Sequence, residues 1–107
     1  MGPTPNPDLF FIREELLNSS IKNIKETVER IYNCVKNMKE LRLHSEYDYF
    51  RRIVGGYKAM IATYSSRITL DDETREKFSE TLNLMNQTLE KTKNIINKYI
   101  RSSICKC

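Results

Sequence analysis

The chain has 107 residues and a mass of 12.7 kDa, enough for one domain and too short for two independent cores. Eighteen Lys and Arg against fourteen Asp and Glu give a formal net charge of +4; the basic excess alternates with acidic residues along the chain, so we expect no nucleic-acid binding. Three Gly, three Pro and no Trp exclude a turn-rich all-β domain, and 30% charged residues with regular Leu and Ile predict long surface helices. No apolar run approaches the roughly 18 residues that a membrane span needs.

The first predicted helix covers residues 8–42, after a proline-rich extended lead-in at 1–7. Apolar residues recur every three or four positions, which is the seam of a single long helix. The members of this seam are Leu17, Ile21, Ile24, Val28, Ile31, Val35 and Met38.

The second predicted helix covers residues 46–65, with Ser45 as its cap. Its seam consists of Tyr47, Phe50, Val54, Tyr57, Ile61 and Tyr64. The tyrosines at this spacing are predicted to be core residues rather than a stacking platform. Gly55 and Gly56 interrupt the pattern, and we expect a continuous helix with a weak point; a close approach of another helix is the alternative.

The third predicted helix covers residues 70–102, and Thr69 is its predicted N-cap. Its seam consists of Phe78, Leu82, Met85, Leu89 and Ile96. Thr92 or Lys93 occupies the position where the seam requires an apolar residue. The remaining residues, 104–107, are predicted to be a C-terminal tail.

Three amphipathic helices joined by short connections predict an all-α fold, an antiparallel up-down-up three-helix bundle with left-handed crossings, over residues 8–103. The first and third helices are expected to be longer than the second. Part of their shared seam would then form an exposed apolar groove that suits a fourth helix from elsewhere.

The sequence carries no recognisable catalytic motif. His44 is the only histidine and stands without Asp or Ser partners at a recognisable spacing, and Gly55-Gly56 lacks the Lys-Ser/Thr of a phosphate-binding loop. We therefore expect no enzymatic activity and no cofactor or metal. Zinc binding by Cys34, His44, Cys105 and Cys107 would need an unusual ligand geometry.

Three cysteines do not make a disulfide framework, and a reducing compartment is expected. If residue 107 is the natural end, Cys105 and Cys107 form a Cys-x-Cys terminus that resembles the double prenylation signal of Rab-type small GTPases. Dual lipidation would then anchor the domain to a membrane. Glycosylation sequons at Asn18 and Asn86 leave a secreted helical ligand as a further alternative.

The start of the first helix, from Asp8 to Ile21, resembles the N-terminus of Golgi and endosomal Qc-SNAREs of the syntaxin-six/Tlg type. Those proteins begin with Asp-Pro-Phe-Phe or Asp-Pro-Phe-Tyr and a Glu-rich amphipathic helix, and here Leu9 replaces the proline. The entry of the third helix is also similar, with an acidic start at Asp71 that leads to an Arg and then to Phe78.

This resemblance implies a syntaxin-like regulatory N-terminal domain of a SNARE, acting in vesicle trafficking and membrane fusion on the cytoplasmic face of Golgi or endosomal membranes. Its partners would be SNARE helices, tethers or trafficking factors, and a monomer is expected. We expect these partners to bind apolar residues of the first helix: Phe10, Phe11, Leu16 and Leu41. The alternative is a small helical adaptor or coiled-coil subunit of a larger complex.

Overall fold

A computed structural model describes residues 7–38, 41 and 44–104, with side chains as far as residue 98. All regular elements within these ranges are helices, so the predicted all-α class is confirmed. The elements are α1 (Pro7–Asn18), a 3-10 turn (Ile21–Asn23), α2 (Ile24–Lys36), α3 (His44–Arg67) and α4 (Asp72–Ile104). Of the predicted lead-in and tail, only Pro7 and Ile104 lie within the described residues, where they begin α1 and end α4.

The predicted single helix over residues 8–42 is wrong, because the chain leaves the helix after Asn18. The Ser19 hydroxyl donates to the Leu16 carbonyl at 2.8 Å. Ser20 is extended, with φ −128° and ψ 157°. Serine side chains compete with the helical hydrogen bonds of the backbone and favour helix ends.

After this break α2 folds back along α1, so that the two helices form an antiparallel hairpin. The Cys34 thiol lies 3.4 Å from the Asp8 carbonyl oxygen. Further along, Arg30 lies 3.4 Å from Glu15. Each helix has its own buried stripe, which for α1 is Leu9 and Ile12 and for α2 is Ile24, Thr27, Val28, Ile31 and Val35.

The predicted helix over 46–65 corresponds to α3, whose 24 residues make it longer than α2 with its 13. The expectation that the first helix is longer than the second is therefore wrong, whereas the third, α4 with 33 residues, is longer than the second as expected. Its buried residues include Phe50, Val54, Tyr57 and Tyr64, while Tyr47 and Ile61 are half-buried.

The double glycine lies within an uninterrupted α3, as predicted. Both residues are exposed, and a Cβ added at Gly55 or Gly56 would meet no atom within 4 Å. The alternative of a close helix approach at the glycines is therefore wrong within the described fold.

Helix α4 contains 33 residues and begins at Asp72, so Thr69 is not its N-cap as predicted. The Arg75 amide donates to the Asp71 carbonyl at 3.0 Å, which makes Asp71 the residue at the helix start. Hydrogen bonds from Thr74 and Lys25 lower the pKa of the Asp71 carboxyl. Thr92 occupies the position of the missing apolar residue and is buried.

The helices pack so that α1 and α4 each contact both α2 and α3. Helices α2 and α4 run parallel, because Lys25 reaches Asp71 at 3.1 Å and Glu29 reaches Lys77 at 3.9 Å. Helix α3 runs antiparallel to α4, and the ring of Tyr57 meets Phe78 edge-on at 5.8 Å. The 33 residues of α4 rise about 50 Å, in keeping with the molecule's long axis of 57 Å.

Candidate partner-binding surface

Helix α1 carries apolar side chains on its outer as well as its inner face. Of its twelve residues six are apolar, and only Leu9 and Ile12 are fully buried. Phe10, Phe11 and Leu17 expose 48%, 56% and 68% of their surface. We call these three residues the α1 patch. Large apolar side chains grouped at the surface mark sites that another molecule can cover.

Phe10 and Phe11 thus lie at the surface, where the sequence analysis expected partner-binding residues. Phe10 lies beside α3, with its ring centroid 6.4 Å from that of Tyr49. The Tyr49 hydroxyl is buried and accepts or donates no hydrogen bond among the described residues. Phe10 thus packs against Tyr49 on one side and keeps about half of its surface exposed.

Leu16 and Leu41 do not share this exposure. Leu41 lies beyond the end of α2 and is only 4% exposed, so the expectation of an exposed binding residue there is wrong. Leu16 is half-buried and packs against the core. It lines a shallow groove together with Met60 and Tyr64 of α3. Leu41 belongs to the buried core cluster, and Leu16 packs against that cluster.

Leu17 is a further candidate for partner binding, although the sequence predicts it to lie in the buried seam. The seam is wrong at Leu17 and also at Ile21, which is 43% exposed. The signal that could have revealed this is the run Asn18-Ser19-Ser20, whose three residues are poor helix formers. A break there resets the register, so residues on either side no longer share one face.

A groove runs between α2, which lies within the first predicted helix, and α4, which corresponds to the third. The sequence predicts an apolar groove between these two helices. It encloses about 490 Å³. Its apolar lining comes from Val35, Met38 and Leu84, but Lys36, Gln87, Glu90, Lys91 and Asn94 also border it. The lining is therefore mixed rather than the apolar seam that was expected.

The reactive side chains among the described residues are held apart. Burial, together with Asp8 and Glu15, raises the pKa of the Cys34 thiol to about 11. His44 begins α3 and lies 3.5 Å from Asp48. Among the described residues no three His, Cys, Asp or Glu side chains are placed to share a metal ion. The zinc and prenylation hypotheses depend on Cys105 and Cys107, which lie outside the described residues.

The two sequon asparagines are both exposed. Asn18 ends α1 and donates to Glu14 at 3.4 Å, and Asn86 lies on α4. Their accessibility is equally expected for a surface helix of any protein, so the secreted-ligand alternative stays a prediction.

Comparison with protein-family models, curated proteins and solved structures finds no match for this chain. Within residues 7–38, 41 and 44–104, none of the helices has the length and apolar character needed to cross a bilayer. Among the described residues, α1 carries three of the five large apolar side chains that are exposed, and these three form the α1 patch.

Proposed function

We propose that this chain is a non-catalytic protein-interaction domain of a SNARE. It regulates SNARE assembly or recruits trafficking factors at the cytoplasmic face of Golgi or endosomal membranes. The observation that carries this proposal is the exposure of Phe10 and Phe11, because these aromatics belong to the same stretch, Asp8 to Ile21, that resembles Qc-SNAREs of the syntaxin-six/Tlg type.

The same proposal assigns a topology to the longer helices. Helices α2, α3 and α4 would form the syntaxin-like up-down-up three-helix unit with left-handed crossings, and α1 would be an additional helix that folds back on it. The parallel course of α2 and α4, with α3 antiparallel to α4, supports this assignment.

The apolar character of the α1 patch and the arrangement of its residues along the helix favour a helical protein partner. Apolar surface removed from water contributes about 25 cal/mol per Å², and exposed aromatic residues are frequent hot spots of protein interfaces. Phe10 and Leu17 are seven residues apart, two helical turns, and therefore lie along one line of α1. An amphipathic SNARE helix laid along this line would cover both side chains.

The experiment is a titration of the full chain into fluorescently labelled Golgi and endosomal SNARE helices, with SNARE assembly rates measured in parallel. We expect binding by the unaltered chain and a loss of about tenfold or more in affinity for Phe10→Ser combined with Phe11→Ser. Helicity should be retained, because both side chains are largely outside the core.

Ile95→Ser is the matched control, since Ile95 is an exposed apolar residue on α4, with 44% of its surface accessible. The proposal is wrong if the double variant binds as the Ile95 variant does. It is equally wrong if the unaltered chain neither binds these helices nor changes their assembly rate.

A small adaptor or coiled-coil subunit is the second candidate function. It is favoured by the exposure of Ile95 near the far end of α4, which would suit association with further helices. Light scattering of the purified chain separates the two: a concentration-independent dimer or tetramer supports the adaptor, and a monomer supports the regulatory domain.

A further inference from the structure

The apolar pattern of α2 continues across the break that separates it from α1. Leu17, Ile21, Ile24 and Val28 follow one another at spacings of four, three and four, which would place them on one face of a continuous helix. In the folded hairpin they are divided. Ile24 and Val28 are buried, whereas Leu17 and Ile21 are 68% and 43% exposed. A straight helix would therefore align two exposed apolar residues with the buried stripe of α2.

The break itself is short and weakly fixed. Only Ser19 and Ser20, which we call the hinge, separate α1 from the 3-10 turn. Neither Ser20 before the turn nor Asn23 before α2 makes a side-chain capping hydrogen bond, although such caps commonly stabilise a helix start. The Ser19 hydroxyl donates to the Leu16 carbonyl and lies 3.3 Å from the Met60 sulfur. Few side-chain interactions thus oppose a helical hinge.

The antiparallel register of the hairpin places the region after the hinge opposite itself. The Asp8 carbonyl oxygen lies 3.4 Å from the Cys34 thiol, and Glu15 lies 3.4 Å from Arg30. The midpoint of each of these pairs falls close to Ile21. If the same contacts form between two straightened chains, the two-fold axis that relates them passes near Ile21, and the two copies of Ile21 come close together.

Helix α1 leaves its place only if something else covers the apolar side chains that it buries. Leu9 and Ile12 are fully buried, and α1 packs on α2 and α3. Opening the hinge without a partner would expose these residues at a cost of about 25 cal/mol per Å². The α1 of a second copy is identical, so it restores the same contacts with no loss of burial. A short hinge and a restored interface are the conditions under which protomers exchange identical elements.

We propose that two copies of this chain form a two-fold symmetric dimer by exchanging α1. The hinge becomes helical, so residues 7–36 form one helix of about 45 Å. The α1 of each copy packs on α2 and α3 of the other, and Leu17 and Ile21 of both copies cover one another at the two-fold axis. The inference goes beyond the proposed SNARE function and does not depend on it.

The test asks which chain supplies the α1 that packs on a given α2. A variant with Glu15→Cys and Arg30→Cys, in which the three native cysteines are replaced by Ser, places one thiol on α1 and one on the facing part of α2. It is refolded from urea at low and at high concentration, separated by size exclusion and treated with a short bis-maleimide. We expect a dimer whose share rises with concentration and whose chains are linked to each other on a denaturing gel. The monomer should give only links within one chain.

Two outcomes of this experiment overturn the proposal. One is a chain that stays monomeric at every concentration. The other is a dimer in which the reagent links residues 15 and 30 of the same chain only, because such a dimer associates through another surface, such as that around Ile95. If SNARE binding still depends on Phe10 and Phe11 in either case, the proposed function stands without the exchanged dimer.

Hinge substitutions test the helical hinge separately. Ser19→Ala with Ser20→Ala should lower the dissociation constant of the dimer by about tenfold or more, since Ala is the better helix former and four positions change per dimer. Ser65→Ala with Ser66→Ala, at exposed positions of α3, is the matched control. It should leave the constant within about threefold, because it favours α3 equally in monomer and dimer. Equal effects of the two variants contradict a helical hinge.

A last pair of variants tests the contact at the two-fold axis. Leu17 and Ile21 are exposed in the monomer, so Leu17→Ser with Ile21→Ser should keep its helicity, whereas the dimer should dissociate about tenfold more readily. Ile95→Ser removes an exposed apolar side chain of α4 and should change dissociation by less than about threefold. A double variant that dimerises like the unaltered chain overturns the exchange as proposed.

Discussion

The inner and outer faces of this bundle follow different rules. On the inner side, Ile31 of α2 and Phe78 of α4 are buried, and each belongs to a stripe of apolar residues that recurs every three or four positions. On the outer side, α1 exposes large apolar residues such as Phe11, and α3 exposes small residues flanked by cations such as Arg51. The inner pattern is explained by folding alone, whereas the outer patterns contribute little to folding and are therefore the better guides to function.

The largest expected effect contrasts a buried with an exposed apolar residue of the α1–α2 hairpin. Ile31 is fully buried, and Ile31→Ala should lower the free energy of unfolding by about 2–5 kcal/mol through lost burial and a cavity. Leu17 is 68% exposed, and Leu17→Ala should change it by no more than about 0.5 kcal/mol. Urea unfolding followed by circular dichroism measures both, and equal losses would contradict the fold at the hairpin.

The second prediction concerns threonines on the inner face of α4. The Thr92 hydroxyl is buried with no hydrogen-bond partner among the described residues. Thr92→Val should therefore raise the free energy of unfolding by about 1–2 kcal/mol, since an unpaired buried hydroxyl is costly. The control is Thr81→Val, because the Thr81 hydroxyl donates to the Lys77 carbonyl at 2.7 Å. An equal gain in the control would contradict the assignment.

The third prediction addresses the outer face of α3. A Cβ at Gly55 meets no atom within 4 Å, so Gly55→Ala should stabilise the protein by about 0.8–1 kcal/mol through its higher helix propensity. Ala59→Gly, on the same exposed face, should lose a similar amount. A loss of stability in Gly55→Ala would show that something covers this position in the isolated protein.

The smallest expected effect on stability concerns Cys34, a half-buried residue of α2. Burial raises the pKa of this thiol from its ordinary value of 9.0 to about 11, so its contribution to stability is fully present below pH 9 and decreases as the pH rises toward 11. In a variant with Cys105→Ser and Cys107→Ser, alkylation of native Cys34 by iodoacetamide should reach half its maximal rate near pH 11. In urea the midpoint should lie near pH 9, and coincident midpoints would refute the burial of the thiol.

Much of the fold could be predicted because periodicity within an unbroken helix is a local property. The seam of α3 through Phe50, Val54 and Tyr57 is a case in point, and Phe78 and Met85 of α4 are another. The error in the first helix arose where a three-four spacing continued across Ser19 and Ser20. The low helix propensity of the two serines indicates a helix end there, but the apolar periodicity predicts a continuous helix.

The candidate surface could be predicted only in part, because the exposure of a side chain is not a local property. The sequence predicts Phe10 and Phe11 as binding residues, and both are exposed. It also predicts an exposed Leu41 and a buried Leu17, and both of these predictions are wrong. Exposure depends on which neighbour covers a side chain, and that neighbour is distant in sequence.

The sequence by itself therefore determined the helical class and the inward-facing stripes of α2, α3 and α4, because a repeat near 3.6 residues specifies a face wherever the helix is continuous. The tertiary structure decided that α1 turns back along α2 and which of its six apolar residues stay outside. The six apolar residues of this twelve-residue helix do not lie on a single face. Only packing against α2 and α3 could choose Leu9 and Ile12 for the interior and leave Phe10, Phe11 and Leu17 at the surface.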